Sequence, residues 1–590
     1  METRVLDAKT LHAAFITACD FIITNREKLN AINVFPVADG DTGDNMSATA
    51  LSVINLSSPK PTLKETFQSM ANSALLGARG NSGMIFSQFF NGLTETSLHS
   101  EEINTSTFAE LITKASISVR SAILHPVEGT IITVIDSWSQ SITRLAREIP
   151  CFKQLIKQTL TEVYQTLQNT ANTLAVLKEA QVVDAGALGF YHFISGFSDY
   201  LDNPREINKN HLHLECTDHH HEVPTNGAEP EERYCTEIML AGEALNRMEI
   251  AQHLERFGDC VVSSGSASLS RFHIHCTKPA DVFESLFDAG TITQAKAQDM
   301  LRQFQMIHKR KYPIALVTDS TADLPQSFLD EEQIHIIQLN MHLDQHHLLD
   351  RICVNPDTFY DNLSKLKTYP TTSFPSPSLI EEQMRYISNH YDHVIVLTLS
   401  QALSGTHDAI VKATESFANT HVINSCQTSG SLGFLVAHTA KLIAQGMNID
   451  EIKKEVELKI PKVSIFVYVN QLESLIRCGR ISKVGGMLAQ LAHVKPIISI
   501  SDQGKAILCD KAFSETKGLS KLISNVEVLR QKNELEAYAI VHAGVPEKAQ
   551  EFAELTTEAF GQAPAFIEPA STAIGLHAGK GCIGLVTMMK

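Results

Sequence analysis

The sequence predicts a multidomain protein: an all-α helical barrel or bundle over residues 1–201, a polar linker over 202–232, a small α+β domain over 233–310 and a two-part α/β domain over 311–590. Three observations predict it. A chain of 590 residues has room for about three or four hydrophobic cores. The first 200 residues are rich in helix formers and show no strong strand alternation, whereas apolar β runs such as 314–318, 393–397 and 463–468 alternate with helical segments beyond Tyr312. Between these textures lies a stretch carrying Pro204, Pro224, Pro230 and a His219–His221 run, which reads as a solvated linker rather than a metal site.

Composition narrows the function classes. A net charge of −17 argues against a broad nucleic-acid surface. The first fifteen residues lack the basic region and apolar core of a signal peptide, and no apolar run is long enough to span a bilayer. The eleven cysteines have no framework spacing, which fits reduced thiols and a cytoplasmic location.

In the first domain, helices are expected over 7–30, 44–56, 62–76, 83–96, 105–124, 131–147, 151–179 and 186–201. Four polar motifs fall at their ends. In 33–46, Asp39 and Asp41 flank Gly40; two carboxylates this close repel unless a cation sits between them, and hard oxygen ligands suit Mg²⁺. Gly40 and Gly43 allow sharp turns, and Asn45 opens an apolar-periodic run, so phosphate is favoured at that helix start. A solvated Asp/Gly turn is the plainer alternative for this string alone. The segment 77–83 is a small-residue turn whose Gly80, Asn81 and Ser82 can offer donors to phosphate oxygens, or simply cap a helix. The segments 126–130 and 183–189 complete the set, and Gly186 and Gly189 allow close helix packing or close approach to a base or ribose.

Taken together, these four motifs resemble the DhaL family, the ATP-binding subunit of dihydroxyacetone kinases, and more closely the DhaL-like domain of the bacterial fatty acid kinase catalytic subunit. The string LNAINVFPVADGDTGDNM carries most of the likeness. The resemblance implies ATP and Mg²⁺ as cofactors. Asp39 and Asp41 would ligate the metal, with Asn33 as a third ligand. Phosphate contacts would fall on Thr42, Gly43, Asn45 and Ser82, and nucleotide contacts on Gly129, Thr130 and Asp184. The family's third Asp is replaced by Asn33, which can still ligate through its amide oxygen but lowers the site's charge.

The small domain reads as strand 234–240, helix 246–257, strands 259–264 and 270–276 and helix 279–288, an order expected of a ferredoxin-like layer. His273 and His275 leave one strand on the same face, and Cys235 lies on a strand that can pair beside them. Such a set suits Zn²⁺ with one open position, although an H-x-H pair alone is more often just a strand face. The segment also resembles the middle domain of the fatty acid kinase catalytic protein, in which a Cys and an H-x-H pair stand at these places.

In the last domain, the polar turn of 317–325 follows a strand, where open α/β sheets bind ligands. The strings VTDSTADLP, 370–375, 399–406, 478–482, 495–498 and 575–579 resemble the DegV family of fatty-acid-binding proteins. That resemblance implies a carboxylate held by Thr372, Ser404 and His577, and places Arg480 near a kinase-docking face. Phe374 stands where the family usually has Gln. Two hydroxyls and an imidazole can bind a carboxylate while an apolar interior takes the tail.

The combined expectation is a fatty acid kinase. Asp39, Asp41 and Arg480 would be the catalytic residues, a long-chain fatty acid the substrate, an acyltransferase the downstream partner and a second copy the partner in a homodimer. A small-molecule kinase resembling dihydroxyacetone kinase, or a non-enzymatic fatty-acid carrier or sensor, are the alternatives. The first predicts a small polar pocket in 311–590, and the second predicts nucleotide binding without turnover.

Overall fold

The computed structural model describes residues 3–35, 40–95, 101–205, 229–470, 474, 477 and 494–590. Asp39, Arg480 and the His219–His221 run lie outside them. The chain forms two compact units, Met1–Leu301 and Arg302–Lys590.

Among the described residues the first unit opens with ten helices: α1 (Ala8–Thr24), α2 (Arg26–Ala31), α3 (Thr42–Leu56), α4 (Leu63–Gly77), α5 (Gly80–Leu93), α6 (Thr105–Ser121), α7 (Ile131–Leu145), α8 (Phe152–Thr170), α9 (Ala175–Ala180) and α10 (Ala185–Asp202). Several start on side-chain caps that supply the acceptors a first helical turn lacks. Asp7 accepts from Thr10, Asn104 accepts from Thr107, and Thr62 and Glu65 form a reciprocal capping box. Aromatic rings fill the interior. Phe15, Phe86, Phe89, Phe90, Phe193 and Trp138 are fully buried and meet at centroid separations near 5–6 Å.

Three details depart from the helical expectation. The segment 7–30 is broken at Asn25, whose Nδ2 donates to the Phe21 carbonyl at 2.8 Å; short amide side chains compete with the helical ladder in this way. The segment 151–179 is broken between α8 and α9. A short antiparallel pair, β1 (Val5–Asp7) with β2 (Glu102–Asn104), also joins residues nearly a hundred positions apart, which local periodicity does not register.

The unit continues as a four-stranded antiparallel sheet: β3 (Tyr234–Ala241), β4 (Gly258–Gly265), β5 (Leu269–Cys276) and β6 (Thr291–Asp299), in the order β4-β5-β3-β6. Helices α11 (Arg247–Leu254) and α12 (Pro279–Glu284) complete a ferredoxin-like arrangement. The sequence pattern ends at 288 and does not show β6. That edge strand buries only Ile292 and so carries little apolar alternation.

The second unit is α/β, with three sheets among its described residues. Strands β7 (Ile314–Asp319), β8 (His335–Ile337), β12 (His393–Thr398) and β13 (Thr420–Asn424) form a parallel sheet in the order β13-β12-β7-β8. Strands β9 (Asn340–Leu343), β10 (His346–Leu349) and β11 (Thr371–Ser373) form an antiparallel one. The third sheet is six-stranded and mixed: β16 (Ala506–Ala512), β15 (Lys495–Ile500), β14 (Val463–Tyr468), β19 (Ile583–Met589), β17 (Leu535–His542) and β18 (Ile567–Pro569). No described helix is long and apolar enough to cross a membrane, and the described cysteines form no disulfide.

Candidate functional site

The glycine motifs of the first unit converge on the start of α3. Asn33 and Thr42 are buried, and the Thr42 hydroxyl donates to the Asn33 amide oxygen. Asn30, within the LNAINVFPVADGDTGDNM string but given no role by it, holds the first turn of α3 through both atoms of its amide. Its Oδ1 accepts from the Asp44 N–H at 3.1 Å, and its Nδ2 donates to the Asp44 carboxylate at 3.0 Å. A Cβ on Gly43 would lie 2.1 Å from the Arg26 carbonyl oxygen and 2.6 Å from Asn30 Oδ1, so only glycine fits there.

The other motifs close on the same helix start. Gly80 has φ +53°, and a Cβ on it would strike the Asn45 side chain at 2.4 Å. A Cβ on Gly186 would come within 3.4 Å of Asp184 Oδ1 and 3.6 Å of Ser82 Oγ. Asn45, Gly80, Ser82, Asp184 and Gly186 therefore share one locality at the N-termini of α3, α5 and α10. Asn81 Oδ1 is buried there without a hydrogen-bond partner.

Asp184 is almost wholly buried. Its Oδ1 accepts from the Ala187 N–H at 2.7 Å, so it caps α10, and it also accepts from the Ile131 N–H at the start of α7. Burial pushes its carboxyl up to about 7 against the pull of those two donors. Thr130 precedes α7, and its hydroxyl donates to the Val127 carbonyl at 2.8 Å. Gly129 takes φ +87° against Thr173.

These groups fit a phosphate and its cation in one respect. Close packing at Gly43, Gly80 and Gly186 brings the N-termini of α3, α5 and α10 together, and helix N-termini favour phosphate. Asp41, half-buried just before α3, makes no capping bond with its side chain. Asn33 is less available as a ligand than its sequence position suggests, because its amide oxygen already accepts from Thr42.

In the sheet of the first unit, Cys235 faces His275 across β3 and β5, and Glu237 faces His273. Ligand atoms of Cys235, His273 and His275 lie within 4.8 Å of one another, and Cys235 Sγ is 3.8 Å from His273 Nδ1. Burial, with the neighbouring His275, holds the His273 imidazole down at about 3, so it is neutral and able to ligate. Its Nε2 is buried without a hydrogen-bond partner. This donor set fits a borderline-soft cation. A β-bulge in β4 brings Asp259 and Cys260 beside His275 as well, a second triad that strand periodicity alone could not reveal.

In the second unit, Thr372 on β11 lies 3.5 Å, Oγ1 to Nε2, from His577 in the helix Thr572–Ala578. Ser404 Oγ is 2.9 Å from Thr406 Oγ1, in the turn that opens the helix Thr406–Thr414. The Phe374 ring lies against that turn, since a Cβ on Gly405 would be 3.4 Å from it.

The VTDSTADLP segment proves to be scaffolding beneath these groups. Asp319 accepts from Thr321 and from the Leu399 N–H, and Asp323 accepts from Ser429 and the Ser571 N–H. Asp350 accepts from Ser320, Thr572 and the Ala573 N–H. Asp323 and Asp350 thereby anchor the first turn of the helix that carries His577. Spacing gave no hint of this, because the partners lie more than two hundred residues apart.

Three family models match successive parts of the chain: the DAK2 domain over 36–199, the FakA-like middle domain of fatty acid kinase over 231–307, and the DegV family over 313–590. Successive stretches of the chain thus match three different families. Its N-terminal part is thereby kinase-related, with nucleotide use implied, and its C-terminal part is a DegV domain. Among curated relatives, an uncharacterised Staphylococcus saprophyticus protein is 31% identical over 322 residues, covering 52% of this chain and 57% of that protein. An uncharacterised protein of Staphylococcus aureus strain USA300 is 30% identical over 321 residues, covering 52% and 58%. The chain thus spans little more than half the length of the curated relatives it matches. Among solved structures, DegV, a fatty acid binding protein from Bacillus subtilis, is 27% identical, with 48% of this chain and all of that one covered, at a TM-score of 0.44. A fatty acid binding DegV family protein from Streptococcus agalactiae is 26% identical, with 47% and 99% covered, also at 0.44.

Proposed function

We propose that this protein is a fatty acid kinase that transfers the ATP γ-phosphate to a fatty acid carboxylate, giving acyl phosphate and ADP. The observation that carries the reading is the union, in one chain, of a DAK2 domain, a FakA-like middle domain and a DegV domain.

The helix starts around Asn45, Gly80 and Ser82 would hold the phosphates, with Thr42 and Gly43 beneath them and Gly129, Thr130 and Asp184 bordering the nucleotide. Asp39 and Asp41, with Asn33 if it exchanges its bond to Thr42, would hold Mg²⁺, which neutralises phosphate charge when bound. In the DegV domain, Thr372, Ser404 and His577 would hold the acyl carboxylate with its oxygen free for in-line attack. A fatty acid carboxylate is already ionised near neutral pH, so these residues need only position it. Arg480 is proposed to stabilise charge or to orient the two domains, and Cys235, His273 and His275 to hold one zinc ion.

Native extraction and mass spectrometry of small molecules carried by the purified full chain test the substrate. A long-chain fatty acid is expected. A small polar metabolite in its place would transfer the proposal to a small-molecule kinase.

A further inference from the structure

The sheet of the first unit presents one polar face, with Cys235 and Glu237 alternating on β3 and Arg271, His273 and His275 on β5. One end of that face is the Cys/His cluster. The other end reaches the 77–83 turn at the start of α5. Glu237 Oε1 accepts from the Gly80 N–H at 2.8 Å, and Arg271 donates to the Ala78 carbonyl. Arg271 Nη1 also lies 3.7 Å from Glu237 Oε2, and its Nη2 donates to Gln294 at 2.9 Å. Both residues of this pair are buried, at 5% and 7% exposure.

We propose that Glu237, braced by Arg271, is a positioning residue for the nucleotide: from another domain's sheet it fixes the phosphate-binding turn by capping α5 through Gly80. The inference rests on the reading that ATP binds at this turn. It deepens that reading by assigning the sheet a role in nucleotide binding.

The local sequence does not hold the turn by itself. Arg79, the residue before α5, makes no capping bond with its side chain, and Gly80 sits at a positive φ. Four N–H groups at a helix start need external acceptors. Glu237 accepts from one of them, the N–H of Gly80. Arg271 fixes the carbonyl two residues earlier, so the turn is gripped on both sides of Arg79. Lys296, across β6, and His273, across β5, are the other groups facing the Glu237 carboxylate. The grip extends along α5, where Gly265 accepts from Asn91 and donates to Gln88.

The test compares wild type, Glu237→Gln and Glu237→Ala in the full chain. Gln keeps an acceptor for Gly80 but leaves Arg271 without its charge partner; Ala removes both. Nucleotide affinity is expected to fall in the order wild type, Gln, Ala, with Ala weaker than wild type by about tenfold or more. Amide exchange at residues 78–82 should accelerate in both variants, while fatty acid affinity stays unchanged. Unchanged nucleotide affinity and unchanged exchange at 78–82 in Glu237→Gln overturn the inference. If Glu237→Ala does not fold, Glu237→Gln carries the test alone, with about threefold weakening expected. A wild-type protein that binds no ATP would instead remove the reading beneath it, a distinguishable result.

Discussion

Thr372 Oγ1 lies 3.5 Å from His577 Nε2 although 205 residues separate the two in sequence. The approach is secured from below. Asp350 holds the first turn of the helix bearing His577, and β11, which bears Thr372, pairs with β9. A hydroxyl and an imidazole at that separation can share a carboxylate between them.

Ser404→Ala and Thr372→Val should therefore each weaken fatty acid binding. A hydrogen bond to a charged group contributes roughly 1.5–3 kcal/mol, so about ten- to a hundredfold is expected. ATP affinity should not change, because the nucleotide residues lie in the other compact unit. Fluorescent fatty acid displacement and nucleotide titration on the same preparations measure both, and a Ser404→Ala protein with wild-type fatty acid affinity contradicts the assignment.

Asp41→Ala should weaken Mg²⁺-dependent ATP binding by at least about tenfold, since one of two paired carboxylates is lost beside a helix start that favours phosphate. Asn30→Ala should weaken it too, through the first turn of α3 rather than through the metal. Calorimetry with and without Mg²⁺ separates the two. The Asp41 variant should lose the Mg²⁺ dependence, and the Asn30 variant should retain it.

The Cys235, His273 and His275 cluster should carry about one zinc per chain, and Cys235→Ser should release it. Elemental analysis is best made on protein lacking residues 211–221, so that the linker histidines contribute no metal. Zinc-free protein from that preparation would count against the cluster as a zinc site.

Asp184 sets a pH dependence. Burial raises its carboxyl from 3.8 to about 7, so folding favours the protonated form. Its contribution is complete below about pH 4 and is lost as pH rises through 7. Relative to Asp184→Asn, wild type should therefore lose on the order of a few kcal/mol of stability across that window. Urea denaturation of both proteins between pH 4 and 8 measures this, and parallel stability curves would exclude it.

Much of the architecture was legible because its signals are local. Helical texture, the 2-residue spacing of His273 and His275, and the glycine motifs at helix ends all read directly from the sequence. Polar strand β6 was not legible, since one buried side chain gives no period. Nor were Asn30, Glu237, Arg271 and Asp259, each of which matters through a partner supplied by the fold. The DegV segment VTDSTADLP read as a ligand turn by its place after β7. Its aspartates instead spend their lone pairs on buried hydroxyl and backbone donors.

Incubation of the full chain with ATP, Mg²⁺ and a long-chain fatty acid, followed by hydroxylamine trapping, tests the account most directly. It predicts a fatty acyl hydroxamate formed in step with ADP and lost in Asp41→Ala. Protein that binds both ATP and fatty acid yet releases no ADP and yields no hydroxamate would contradict it.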